Sequence, residues 1–115
     1  MIVAVVGSRT FTDWNLLNQT LSEFHHKTPI SKVVSGGARG ADSLAEEWAK
    51  TNNIPVTVFP AQWDKYGRSA GMIRNKLIIS ASDHCIAFWD GVSRGTKNDI
   101  ELCQRLNVPC TIIRF

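Results

Sequence analysis

Cysteine is scarce: Cys85, Cys103 and Cys110 are the only three in 115 residues, and no pair stands in a CxxC spacing. An odd number without that spacing excludes a disulfide framework and carries no zinc signature. The three read as small buried hydrophobes, Cys85 and Cys110 in core strands. His25 and His26 are adjacent, so one helix cannot turn both toward a metal, and a surface role is expected. No metal site and no cofactor is expected. Also missing is any apolar run near the ~20 residues of a membrane helix, which excludes a spanning segment. The amino end, "MIVAVVGSRT", has neither a basic region nor a small-residue cleavage site. It reads as a first strand, and a cytoplasmic protein with no membrane partner is expected. A large excess of charge of one sign is missing too, with 13 Lys and Arg against 10 Asp and Glu. A net +3 suits a phosphate-bearing ligand without demanding nucleic acid. Repeats, linkers and low-complexity segments do not occur, and residues 1–115 read as a single domain.

What is present is alternation. "IVAVV" (2–6), "KVVS" (32–35), "PVTVF" (55–59), "HCIAFW" (84–89) and "PCTIIRF" (109–115) are short apolar runs suited to strands buried on both faces. Between them lie helical patterns. Asp13 caps the first, in which Leu16, Leu17, Leu21 and Phe24 share a face. The second starts at Asp42 or Ser43 and runs to about Thr51. "MIRNKLIISAS" is the third, its face built from Met72, Ile73, Leu77 and Ile78, and "KNDIELCQRLN" is the fourth. "AQWDKYGRSAG" reads as a loop. The pattern predicts an α/β fold: a Rossmann-like three-layer sandwich around a mostly parallel five-stranded sheet. The expected strand order is 3-2-1-4-5, with the switch point between strands 1 and 4.

The chemistry-bearing residues follow the strands. After strand 1 come Gly7, Ser8 and Arg9; after strand 2 "SGGARGAD" (35–42); after strand 4 "DGVSRGT" (90–96). Each loop combines glycine, a hydroxyl and an arginine at the sheet edge where ligands of open α/β sheets bind. Glycine admits close backbone approach, a following helix start favours an anion, and arginine offers a fork matched to phosphate. Arg9, Arg39 and Arg94 are the phosphate candidates. Ser35, Gly36, Gly37, Gly40, Gly95 and Thr96 are candidates to supply amides and hydroxyls, with Gly91 and Ser93 beside them. Asp42 either caps the second helix or meets a ribose hydroxyl. Asp90 is a ligand contact or a turn former. Trp63 and Tyr66 either stack on a base or pack against the sheet edge. Trp89 reads as core or cleft wall. Neither GxGxxG nor GxxxxGK[ST] occurs, so a whole dinucleotide or a nucleoside triphosphate is not required.

"GSRTFTDW", "VSGGARGADSLAEEWA", "YGRSAGMIRNKLII" and "IAFWDGVSRGTKNDIELC", taken in order over nearly the whole chain, resemble the small bacterial and phage proteins of the SLOG superfamily. Within it they are most similar to the YspA-like, cpYpsA-related group. The resemblance implies a Rossmann-like sheet with a nucleotide or nucleotide-derived ligand in the cleft, and adds Arg74 and Asn75 as cleft residues. From the residues alone, those two read as a solvated helix face. The resemblance also implies association through helices, hence a homo-oligomer. LOG-type phosphoribohydrolases of the superfamily carry "PGGxGTxxE". Gly95, Thr96 and Asp99 fall on its Gly, Thr and Glu, while the leading "PGG" is missing and aspartate is one methylene shorter. Asp99 is therefore the catalytic candidate, with capping as its alternative. DprA proteins carry similar "SGxARGxD" and "GRNAGxxRNR" segments.

Three readings follow. The first is a binder that holds a phosphate-containing, nucleotide-derived small molecule, such as an NAD-derived or cyclic signal, without turning it over. The alternative is a nucleoside 5′-monophosphate N-glycosidase. The third is a DprA-like binder of single-stranded DNA, with nucleic acid the less expected partner.

Overall fold

The computed structural model describes residues 1–115. Its elements are β1 (Ile2–Gly7), α1 (Trp14–Lys27), β2 (Lys32–Ser35), α2 (Ala41–Thr51), β3 (Val56–Val58), α3 (Trp63–Tyr66), α4 (Ala70–Ser80), β4 (His84–Trp89), α5 (Arg94–Arg105) and β5 (Cys110–Arg114), with a 3-10 turn at Gly67–Ser69. The five strands form one sheet in the order β3-β2-β1-β4-β5. Every pairing is parallel. This is the expected α/β, Rossmann-like sandwich and the expected order. No helix is long and apolar enough to cross a membrane.

Period-2 alternation sends each strand's side chains to opposite faces. Val3, Val5, Ile86 and Phe88 join Leu17, Leu21, Trp48 and Phe11 on the side of α1 and α2. Ala4, Val6, Cys85 and Ala87 join Ile78, Ile79, Leu102 and Cys103 on the side of α4 and α5. The second face is built from small residues, which lets those helices lie close to the sheet. Asp13 caps α1 as expected, its Oδ1 accepting from Leu16 N at 3.0 Å. His25 departs from the surface role expected for it: Nδ1 accepts the Ile30 amide at 2.8 Å and closes the turn after α1.

Three local expectations need correction. "AQWDKYGRSAG" is not a plain loop. Lys65 and Tyr66 amides reach back to the Gln62 carbonyl, and Gly67, at φ 58°, ends that single helical turn. Helix α5 begins at Arg94 rather than Lys97, because Asp90 Oδ1 gathers the Val92 and Ser93 amides at 2.9 and 2.8 Å and turns the chain earlier. The buried face of α4 is Ala70, Ile78 and Ile79, while Met72 and Leu77 stand 54% and 48% exposed. "MIRNKLII" is apolar on more than one side, so periodicity alone does not choose the face. Rotating Arg74 and Asn75 toward the carboxyl end of the sheet does.

Leu21 is wholly buried and Leu106 is 38% exposed. Leu21→Ala is expected to lower unfolding free energy by roughly 2–5 kcal/mol. Leu106→Ala is expected to change it by no more than about 0.5 kcal/mol. Urea denaturation of the two variants measures both.

Candidate functional site

The loop after β2 is held shut by its own helix. Asp42 lies in the first turn of α2 and is 7% exposed. Its Oδ2 accepts the Gly36 amide at 3.2 Å and the Ala38 amide at 3.3 Å. The Gly37 amide donates to Ser35 Oγ at 3.2 Å, and that hydroxyl donates to Glu46 Oε2 at 2.8 Å. So the amides of Gly36, Gly37 and Ala38 meet acceptors within the chain rather than facing outward as an anion cradle. Asp42 thus neither caps the amides of its own helix nor stands free for a ribose; it pins the loop.

Two glycines permit this closure. A Cβ on Gly36 would stand 2.6 Å from Arg74 Nη1 and 2.9 Å from Asp42 Oδ2. Gly40, at φ 78°, passes against the Ser8 and Arg9 backbone with no room for a side chain. The Ser8 carbonyl accepts from both Phe11 N (3.1 Å) and Ala41 N (3.4 Å), joining the loops after β1 and β2.

Arg74 reaches from α4 across the sheet edge. Nη1 donates to the Gly36 carbonyl at 2.9 Å, and Nε donates to Asn75 Oδ1 at 3.0 Å. Its fork is therefore positioned while part of it stays free. It borders a cleft of about 180 Å³ whose wall includes Gly7, Arg9, Asp42, Asn75, Ser93, Gly95, Thr96 and Asp99, with Val6 and Ile78 at its floor. A second hollow of about 240 Å³ shares Arg9, Ala38 and Arg74, and adds Gly36, Gly37 and Trp63. The N-terminus of α5 opens on the first cleft, and no side chain caps it. Its amides and dipole favour an anion there.

Two carboxyl groups carry the unusual electrostatics. Asp99 is 6% exposed, and its Oδ1 has no hydrogen-bond partner. Burial first, then the nearby Asp42 charge, pushes it up to about 8, against the pull of Arg74. Asp42 is pushed up to about 6, burial outweighing the Ala38 amide and Arg74. At neutral pH Asp99 is thus a neutral acid at the base of a cationic cleft. Ser8 Oγ is also buried without a partner. Asp90, by contrast, lies below the usual carboxylate range because the Ser93 and Val92 amides donate to it. That is the turn-forming role.

Nine of the sequence candidates meet at the first cleft: Gly7, Arg9, Asp42, Arg74, Asn75, Ser93, Gly95, Thr96 and Asp99. Gly36 and Gly37 border the second, and Gly40 borders a shallow hollow with Arg9 and Phe11. Ser8 and Ser35 are buried. Arg39, Asp90, Gly91 and Arg94 border none of these hollows, and both arginines are exposed. Trp63 and Tyr66 are 54% and 38% exposed, and of the two only Trp63 borders the second hollow. Trp89 is pinned, Nε1 donating to the Ser93 carbonyl at 3.0 Å. The loop-pinning role of Asp42 escapes sequence reading, because capping and loop-pinning share the same residue position. Ala38, Val6 and Ile78 carry no chemical signal at all.

The model of the YspA, cpYpsA-related SLOG family matches residues 1–66. The gene 61 protein of Mycobacterium phage D29 is 33% identical over 120 residues, covering 98% of this chain and 94% of that protein. Among solved structures, DNA processing protein A from Helicobacter pylori, described for its single-stranded DNA binding mode, superposes with TM-score 0.69 at 24% identity over 97% of this chain. DprA from Streptococcus pneumoniae superposes with TM-score 0.80 at 18% identity over 98% of it. These likenesses are of fold. The chain spans 64% and 50% of the length of those two proteins.

The raised value of Asp99 fixes a pH dependence. The folded chain keeps a proton that the unfolded chain releases above pH ~4, so stability falls as pH rises from about 4 to about 8. Asp42 contributes only up to about 6. Among the carboxyl groups the fall between pH 6 and 8 is therefore that of Asp99, with a slope of at most about 1.4 kcal/mol per pH unit, while His84, held low by burial, acts in the opposite sense below about 6.5. Asp99→Asn is expected to flatten thermal stability across that window. An unchanged slope in the variant would assign the effect elsewhere.

Proposed function

We propose that this chain, which belongs to the YspA, cpYpsA-related SLOG family, binds a phosphate-bearing nucleotide or nucleotide-derived small molecule at the carboxyl edge of β1, β2 and β4. The observation that carries this reading is the convergence of Arg9, Arg74, the uncapped start of α5 and the raised carboxyl of Asp99 on one cleft. Each feature favours an anion. A protonated Asp99 removes the repulsion an ordinary carboxylate would exert, and it donates a hydrogen bond to a phosphate or sugar oxygen. Neither hollow alone reaches the ~300 Å³ of a typical small-molecule pocket. The two adjoin, with Arg9, Ala38 and Arg74 as their common border. The phosphate belongs beside α5, and the base belongs beside Trp63, where stacking contributes ~1–3 kcal/mol. The functional arginines in this reading are Arg9 and Arg74; Arg39 and Arg94 act at most through the long-range field.

The second reading, an N-glycosidase, is favoured by the same carboxyl. An acid with a value near 8 at the cleft base is matched to protonating a departing base at neutral pH. The third reading draws on the fold of the DNA processing proteins and on the exposed Arg9, Arg39 and Arg94. Met72 and Leu77, exposed on α4, are the proposed contact for a second copy of the chain.

Incubation with AMP, ADP-ribose, NAD, cyclic nucleotides and an oligonucleotide separates these readings. An intact nucleotide is expected to co-purify, with affinity falling as pH rises past about 8. Arg9→Ala is expected to weaken it roughly 10–100-fold, the worth of a charge-assisted hydrogen bond. Arg39→Ala is expected to leave it nearly unchanged. Release of free base, lost in Asp99→Asn, would establish the hydrolase instead. Oligonucleotide affinity that falls steeply with salt and responds to Arg39→Ala would establish DNA binding. Sedimentation velocity at micromolar concentration is expected to show a dimer or larger, weakened by Leu77→Asp.

A further inference from the structure

Every cysteine of the chain arrives at one point. Cys85 comes from β4, Cys110 from β5 and Cys103 from α5. Cys85 and Cys110 are register partners across the sheet. The three Sγ atoms all lie within 4.8 Å of one another, with no histidine or carboxylate joining the group. Around them stand apolar side chains, among them Ala4, Ala87, Leu102 and Val108. Cys85 and Cys103 are buried and Cys110 is half-buried, giving an approach from the β5 side. Cys85 and Cys110 sit at the amino ends of their strands. The cleft lies at the carboxyl ends, so this cluster is separate from it.

We propose that Cys85, Cys103 and Cys110 form an all-sulfur, three-coordinate site for a thiophilic ion, matched in charge to trivalent arsenic supplied as arsenous acid. Geometry supports it first. Sulfurs about 2.3 Å from a central ion, the zinc–thiolate distance, stand ~4.0 Å apart if the ion is planar and ~3.5 Å apart around trivalent arsenic, whose lone pair makes it pyramidal. The longest edge here, within 4.8 Å, must therefore close by up to about 1.3 Å, a movement within reach of rotation of the three side chains. Ligand number and charge then select the ion. Structural zinc takes four protein ligands, and no fourth cysteine, histidine or carboxylate joins these three. Three thiolates around a divalent ion would also leave a net negative charge among apolar groups, which is costly. Around a trivalent ion the charges cancel.

The reaction balances without an electron. Three As–O bonds break and three As–S bonds form. Each thiol proton leaves with one hydroxide as water, and arsenic stays trivalent throughout. The strands and helix that supply the sulfurs are separate in sequence, so the site exists only in the folded chain.

The test is intact-mass analysis of the reduced, folded chain with equimolar arsenous acid, alongside its melting temperature. The expected product carries one arsenic less three hydrogens, leaves no reactive thiol, and melts higher than the free chain. Cys110→Ala, the half-buried position, is expected to fold and to give an adduct that retains a hydroxyl, with its rise in melting temperature reduced. A hydroxyl-bearing, two-sulfur adduct in the unaltered chain would overturn the three-sulfur site, as would no adduct. An adduct that lowers the melting temperature would mean capture by the unfolded chain and would overturn it too. Tighter retention of Zn(II) than of arsenous acid would overturn the assignment of a trivalent ion.

Discussion

The cleft rests on the Asp42 carboxylate. Two amides of the loop after β2 converge on one of its oxygens. With the loop so drawn in, the Gly36 carbonyl is placed to accept from Arg74, and Arg74 in turn faces both hollows. Remove that carboxylate and the chain of positions has no anchor. Two buried amides would lose their acceptor, Gly36 would be free to swing, and the guanidinium would lose its rest. The same burial that makes the anchor costly to ionise raises its pKa, and burial, with the Asp42 charge second, raises Asp99 further. Structure and electrostatics of the site are therefore one problem rather than two.

The sheet was legible because strands buried on both faces leave a continuous apolar trace, and because alternation with helices admits few topologies. The order 3-2-1-4-5 was the natural choice among those few, and it is the one found. The loops were legible as a location but less so as an assignment. "SGGARGAD" reads as an anion cradle from its glycines and arginine, yet its amides turn to Asp42 and Ser35, and Arg39 is exposed and lines neither hollow. Glycine marks where a backbone comes close to something without naming what it approaches. Here the neighbours are the Arg74 side chain and the Ser8 carbonyl. Arg74 was visible only through the family resemblance. On α4 the apolar residues do not define one face, so nothing local tells which way residue 74 points. The cysteines were the least legible, since their meeting depends on strand register and on the crossover of α5 together.

The carboxyl pair gives the cleft its character. A site of phosphate-binding arginines usually meets its counter-charge only when the ligand arrives. Here Asp42 and Asp99 lie against Arg74 beforehand, one partly and one largely protonated near neutrality. The two arginines of the cleft thus outweigh the one carboxyl that is mostly ionised at neutral pH, and the apo cleft stays cationic. Asp99 Oδ1 finds no partner in the protein, which leaves its hydrogen-bonding capacity unspent.

The Ser8 carbonyl, bound at once by Phe11 and Ala41, has a kinetic meaning. Two of the walls around the cleft are stitched to each other and backed by the packed contact at Gly40. Neither can fold over an occupant without breaking the seam. Those two walls supply no lid, and for the proposed ligand they leave encounter to diffusion, hastened by charge and slowed by salt.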